Sequence, residues 1–111
     1  MNYTRLSDHL VVAPQVMPQD FSEIAGSGFV GIINNRPDGE EPGQPSSHEL
    51  EAAARRHGLA YWYVPVVPGE PTERQARAFA AALQQADGPV LAFCRTGNRS
   101  TILWKAAQAL S

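Results

Sequence analysis

The stretch Val90–Ser100, VLAFCRTGNRS, decides how the rest of the chain is read. An apolar run stops at Cys94, a small polar loop follows, and Arg99-Ser100 opens a helical pattern. A strand that ends at a cysteine and hands over to a helix turns backbone N–H groups toward the space before the sulfur. Such a nest at a helix N-terminus attracts an anion. Gly97 permits the positive φ that a tight nest requires, and Arg99 adds a planar fork of donors suited to an oxyanion. The expected anion-binding loop therefore comprises Arg95, Thr96, Gly97, Asn98, Arg99 and Ser100. Its positive field favours the thiolate form of Cys94, and hence a nucleophile. Ser100, or Thr101 beside it, is expected to donate to that sulfur. A cysteine by itself would read as a buried core residue; Arg, Gly, Arg and Ser directly after it change the reading.

Moving outward, three more apolar runs, Leu10–Ala13, Phe29–Ile33 and Tyr61–Val64, join Val90–Phe93 and alternate with helical patterns. That alternation predicts an α/β fold with a small central, largely parallel sheet flanked by helices. Ser46 with Glu49 and Thr72 with Gln75 are candidate capping boxes. Leu50, Ala53, Ala54 and His57 follow the first at helical spacing until Gly58. Ala76, Phe79, Ala80 and Leu83 follow the second until Gly88-Pro89. Leu103, Ala106, Ala107 and Leu110 make a further buried stripe, and a short helix is expected from Pro18 to Ala25. Two Pro- and Gly-rich segments, NNRPDGEEPGQPSS (Asn34–Ser47) and PVVPGEPT (Pro65–Thr72), each follow a strand. Ligands of parallel sheets bind beyond the carboxyl ends of strands, so both loops should rim the same end as the cysteine loop.

A chain of 111 residues and 12.0 kDa is expected to form a single domain over residues 1–111. Its hydrophobic share of 43% and charged share of 18% are those of a globular chain. A net charge of -2 and a pI near 5.8 give no reason to expect nucleic acid. No polybasic block and no apolar run of spanning length argue for a membrane. MNYTRLSDHL lacks the pattern of a secretory signal, and the lone cysteine forms no internal disulfide, so the cytoplasm is the expected location. His9, His48 and His57 lack ligand spacing, so neither a metal nor another cofactor is expected.

The loop FCRTGNRS resembles the active-site loop shared by cysteine-dependent protein phosphatases and rhodanese sulfurtransferases. The wider pattern NNRPDGEEPGQP, then YWYVPVVPG, then GPVLAFCRTGNRSTILW resembles the phosphatase-like domain of beta-lactamase hydrolase-like proteins over nearly the whole chain. The resemblance implies a dual-specificity phosphatase-like fold, with Cys94 as nucleophile and Arg99 in one anion-binding loop. It also implies a phosphate ester substrate and a phosphocysteine intermediate.

Three departures stand against that pattern. Phosphatase loops of this kind place five residues between cysteine and arginine, whereas here only Arg95, Thr96, Gly97 and Asn98 intervene. The shorter count matches rhodanese loops. The usual His before the cysteine is Phe93. The acid that protonates the leaving oxygen is usually an Asp after the preceding strand; PVVPGEPT offers only Glu70. Asp38 and Glu40 are alternative acids, and Arg36 with Asp38 forms a candidate substrate loop, although Pro37-Asp38-Gly39 is also turn chemistry. The leading reading is thus a cysteine-nucleophile phosphatase-like hydrolase. The alternative is a sulfurtransferase taking a sulfane-sulfur substrate as a persulfide on Cys94. The resemblance favours that rival where relatives are fused to persulfide- and sulfide-oxidising domains. An anion-binding module without turnover is a third class, and the intact Cys94 counts against it.

Overall fold

In a computed structural model, which describes residues 2–69 and 72–110, the four apolar runs become a parallel ladder. Strands β2 (Leu10–Ala13) and β5 (Val90–Phe93) occupy the expected residues. By contrast, β3 (Gly31–Asn34) starts later than the apolar run and β4 (Ala60–Tyr63) starts one residue earlier. Phe29 is buried ahead of the ladder, and pairing with β4 begins where the Ala60 N–H reaches Val30 O at 2.9 Å. A further strand, β1 (Thr4–Ser7), pairs antiparallel with β2. The apolar pattern does not foreshadow it. Its residues are polar or half-buried, and a backbone ladder with an irregularity between Arg5 and Ser7 holds it at the sheet edge.

The strand order is β1-β2-β5-β3-β4, so the last strand of the sequence is inserted at the centre. Helices cover both faces. Helix α1 (Phe21–Gly26), entered through a 3₁₀ turn at Pro18–Asp20, and α2 (Ser47–Arg56) pack over Val11, Ala13, Ile32, Leu91 and Phe93. On the opposite face α3 (Glu73–Gln85) and α4 (Asn98–Gln108) pack over Leu10, Val12, Ile33, Val90 and Ala92. Successive residues of β2 and β5 thus feed opposite cores, which explains why these strands read as continuous apolar runs rather than alternating ones.

Both capping boxes form. Ser46 Oγ accepts the Glu49 N–H at 3.1 Å and Thr72 Oγ1 accepts that of Gln75 at 3.4 Å, with each side chain answered by its partner. The final helical stripe is shorter than expected. Leu103 and Ala107 are buried and Ala106 is partly so, but Leu110 lies beyond the end of α4 and is exposed. No helix among the described residues is long and apolar enough to cross a membrane.

Glycine at position 31 has a packing cause, because the Trp62 ring of β4 lies against it. A Cβ there would stand 2.6 Å from Trp62 Cζ3. We expect Gly31→Ala to lower stability by about 1–3 kcal/mol and to shift Trp emission as the Trp62 Nε1–Gln85 Oε1 bond of 3.1 Å is disturbed. Urea unfolding followed by fluorescence measures both.

Candidate active site

Cys94 is the first residue beyond β5 and is wholly buried. The Gly97 N–H donates to its Sγ at 3.0 Å. Gly97 is the N-cap of α4 with φ of 95°, the left-handed conformation the loop needs. The Arg95 carbonyl accepts from Gln15 N at 3.3 Å, tying the loop to the segment that follows β2. Among the described residues the N–H groups of Thr96, Arg99 and Ser100 have no protein acceptor, whereas Asn98 N–H is taken by Thr96 Oγ1 at 3.3 Å. The nest is therefore built from part of the expected set of amides.

Neither candidate hydroxyl donates to the sulfur. Ser100 Oγ donates to Asn35 Oδ1 at 2.8 Å, and Thr101 Oγ1 donates to Gly97 O at 2.9 Å. Ser100 anchors the loop and Thr101 braces the first turn of the helix. Phe93, at the position expected of a His, is wholly buried, and its carbonyl accepts from Asn35 N at 2.8 Å.

The residues that sequence reasoning missed are Asn34 and Asn35. Asn35 is wholly buried and its Nδ2 donates to Val64 O at 2.8 Å, while its carbonyl accepts from Val66 N at 2.9 Å. With the bonds to Phe93 and Ser100, it joins β5, the loop after β4 and α4. Asn34 Oδ1 accepts from Arg36 N at 2.9 Å and its Nδ2 donates to the Tyr61 hydroxyl at 2.9 Å. Burial pushes the Tyr61 hydroxyl above its ordinary pKa, and Ser47 Oγ meets it at 2.8 Å. Two amides directly after a buried strand were the available signal, since such groups are retained only where partners wait.

The long loop after β3 folds over the same rim, as expected, and brings in charge. Arg36 is buried and donates through Nε to Glu40 at 2.8 Å and through Nη1 to Gln15 Oε1 at 3.0 Å. Its Nη2 lies 3.0 Å from Glu41 Oε1. Its guanidinium is thus held by the acids of its own loop and by Gln15. Asp38 is also engaged within the protein. Its carboxylate accepts from Ser47 N at 2.7 Å at the start of α2, and its own N–H donates to the Tyr63 hydroxyl at 2.9 Å. Glu70, the expected acid, lies outside the described residues.

Glu40 grips Arg99 end-on: Nη1 reaches Oε2 at 2.7 Å and Nη2 reaches Oε1 at 2.8 Å, while Nη1 also donates to Val66 O at 2.9 Å. The Arg99 bond, opposed by partial burial and joined by the Arg36 bond and both positive charges, pulls the Glu40 carboxyl down to about 2. Gripped by two guanidinium groups, the Glu40 carboxylate is held in its ionised form. Arg99 is held in its charged form chiefly by Glu40, against desolvation, and a contact with Cys94 adds to this. A guanidinium has five N–H donors. Glu40 and Val66 engage both Nη1 hydrogens and one of Nη2, leaving Nε–H and the other Nη2 hydrogen outside these bonds.

Two clefts open here. One of about 430 Å³ is lined by Pro68, Gly69, Arg95, Thr96, Asn98, Arg99 and Ile102, and a second of about 270 Å³ by Arg36, Glu40, Pro68, Arg95 and Arg99. A larger hollow of about 640 Å³ lies against β1 and Pro14, on the side of the loop that holds none of these charged groups. The smaller clefts are the ones lined by Arg95 and Arg99. Among the described residues no cluster of His, Cys, Asp and Glu has the makings of a metal site.

Residues 2–111 match the family model described as the phosphatase-like domain of the beta-lactamase hydrolase-like protein. A beta-lactamase hydrolase-like protein of Agrobacterium fabrum is 41% identical over 110 residues, covering 99% of this chain and 26% of that protein. The chain thus spans about a quarter of the length of the curated relatives it matches. The crystal structure of a candidate phosphatase of Neisseria meningitidis superposes with a TM-score of 0.84 at 35% identity, covering 91% of this chain and 72% of that one. The Siw14 catalytic core, from S. cerevisiae, superposes at 0.70 with 16% identity over 97% of this chain and 65% of that one, a likeness of fold alone.

Two measurements test this geometry. Asn35→Ala strips partners from Val64 O and Ser100 Oγ, and we expect a loss of about 1–3 kcal/mol for each group left unpaired, read as a lower urea midpoint. The second concerns acid. Because the folded state lowers the Glu40 value from 4.5 to about 2, its contribution to stability is complete above 4.5 and disappears as pH falls toward 2. Glu40→Gln should be less stable than the parent at neutral pH, and the gap should close over that window. A gap independent of pH would contradict the assignment.

Proposed function

The chain belongs to the family of phosphatase-like domains of beta-lactamase hydrolase-like proteins, and from that premise we propose a cysteine-dependent phosphate ester hydrolase that works through a phosphocysteine. The observation that carries the reading is Cys94 Sγ at the base of a loop whose Gly97 N–H points at it at 3.0 Å, with Arg99 beside it. A donor directed at sulfur stabilises its negative charge. The sulfur of Cys94 attacks phosphorus, so an S–P bond forms while the ester P–O bond breaks. The departing oxygen takes a proton from solvent or from an acid, for which Glu70 stays the candidate. Water then attacks phosphorus, the S–P bond breaks, and inorganic phosphate leaves with the thiolate restored. Arg99, through its inner edge, and the N–H groups of Thr96, Arg99 and Ser100 hold the equatorial oxygens as charge develops. Glu40 and Val66 O keep that guanidinium from swinging away.

The sulfurtransferase alternative rests on the count of four residues between Cys94 and Arg99. The structural relatives named above include a candidate phosphatase and no sulfurtransferase, so phosphoryl transfer is the better-supported chemistry.

We expect the protein to release phosphate from p-nitrophenyl phosphate, Cys94→Ser to abolish turnover, and Arg99→Ala to lower kcat by about 10²–10³-fold. Quenched samples should carry a phosphoryl group on Cys94 by intact-protein mass spectrometry. A sulfur adduct on Cys94 after thiosulfate, with no phosphate release from any ester, would replace this reading with the sulfur one.

A further inference from the structure

Three guanidinium groups meet at the rim, and two have settled partners. The side chains of Arg36 and Arg99 are 2% and 11% exposed; they share Glu40, and Arg36 also meets Glu41. Arg95 differs: its side chain is 65% exposed, and its one ion contact among the described residues is Glu41 Oε2, at 3.9 Å. The other oxygen of Glu41 is 3.0 Å from Arg36, so that carboxylate keeps a partner whichever way Arg95 turns. Arg95 is thus the most loosely paired of the three cations and the one whose end lies mostly in solvent.

Its place is fixed even though its end is free. Arg95 directly follows Cys94, and its carbonyl is tied to Gln15 N at 3.3 Å. It lines both clefts beside Arg99, and the larger, with Pro68, Thr96, Asn98 and Ile102 around it, encloses about 430 Å³. That space exceeds what a single phosphoryl group fills, and a weakly paired, exposed guanidinium at the edge of a cleft attracts anions there. We propose that Arg95 forms a second anionic subsite, so that the preferred substrates carry another phosphoryl group next to the one cleaved. The inference rests on the phosphate reading of the loop and adds the substrate class to it. On arrival of such a substrate, Arg95 exchanges its long contact with Glu41 for charge-assisted bonds to the second group.

The test compares inorganic pyrophosphate with orthophosphate as ligands, by titration calorimetry on the full chain without added metal. The parent should bind pyrophosphate about tenfold or more tightly than orthophosphate, in line with charge-assisted pairing. In Arg95→Gln the ratio of the two affinities should fall to within about threefold, whatever happens to turnover. Arg77→Gln, on the exposed surface of α3, controls for bulk charge and should leave the ratio as in the parent. A parent ratio near one, a ratio unmoved in Arg95→Gln, or an equal fall in Arg77→Gln overturns the inference. Hydrolysis of p-nitrophenyl phosphate, followed in parallel, separates the two claims. Turnover with a ratio near one removes only the subsite, and an intact ratio without turnover removes only the hydrolase.

Discussion

A buried carboxamide has to find partners for every polar atom it takes out of water, and Asn35 finds them in different segments of the chain. This requirement holds the rim together. The Val64 carbonyl and the Ser100 hydroxyl can satisfy the Asn35 side chain, and the Val66 amide and the Phe93 carbonyl its backbone, only if the loop after β4, the end of β5 and the start of α4 stand in one arrangement. That arrangement sets Cys94 against α4. It also sets the Val66 carbonyl where Arg99 can reach it. The insertion of β5 between β2 and β3 makes this possible, because the cysteine loop then emerges with neighbouring loops on both sides.

Charge is layered on this frame as a relay of ion pairs. Arg36, the deepest of the rim arginines, holds Glu40; Glu40 holds Arg99; and Arg99 faces the sulfur. Arg36, the buried member, would be costly to leave unpaired, and the chain of contacts links the β3 loop to the cysteine loop. A carboxylate flanked by two guanidinium groups is ionised throughout the range in which proteins work, which makes it a fixed strut.

The parts of the molecule legible in advance were those with a local physical cause. Capping boxes at Ser46 and Thr72, the positive φ of Gly97 and the doubly buried runs of β2 and β5 each follow from chemistry within a few residues. What escaped depends on partners far away in sequence. Polar β1 is held by a ladder to β2 and not by its side chains. Arg36 and Asp38 suggested substrate contact because loop charges usually face solvent, yet one is buried among acids and the other meets the amides at the start of α2. A hydroxyl from Ser100 or Thr101 is expected at the sulfur a few residues before them, yet Ser100 turns to a buried amide 65 residues away and Thr101 to the Gly97 carbonyl.

The burial of Cys94 has a bearing on durability. A sulfur that works as a nucleophile is also open to oxidants, and proteins often rescue a sulfenic acid by closing a disulfide with a nearby thiol. This chain has no second cysteine to do so. In the resting fold the sulfur is wholly enclosed and capped by the Gly97 amide. A loop that opens far enough for a phosphoryl group also opens far enough for hydrogen peroxide, so a sulfenic acid formed there would need a thiol from outside these residues to be rescued.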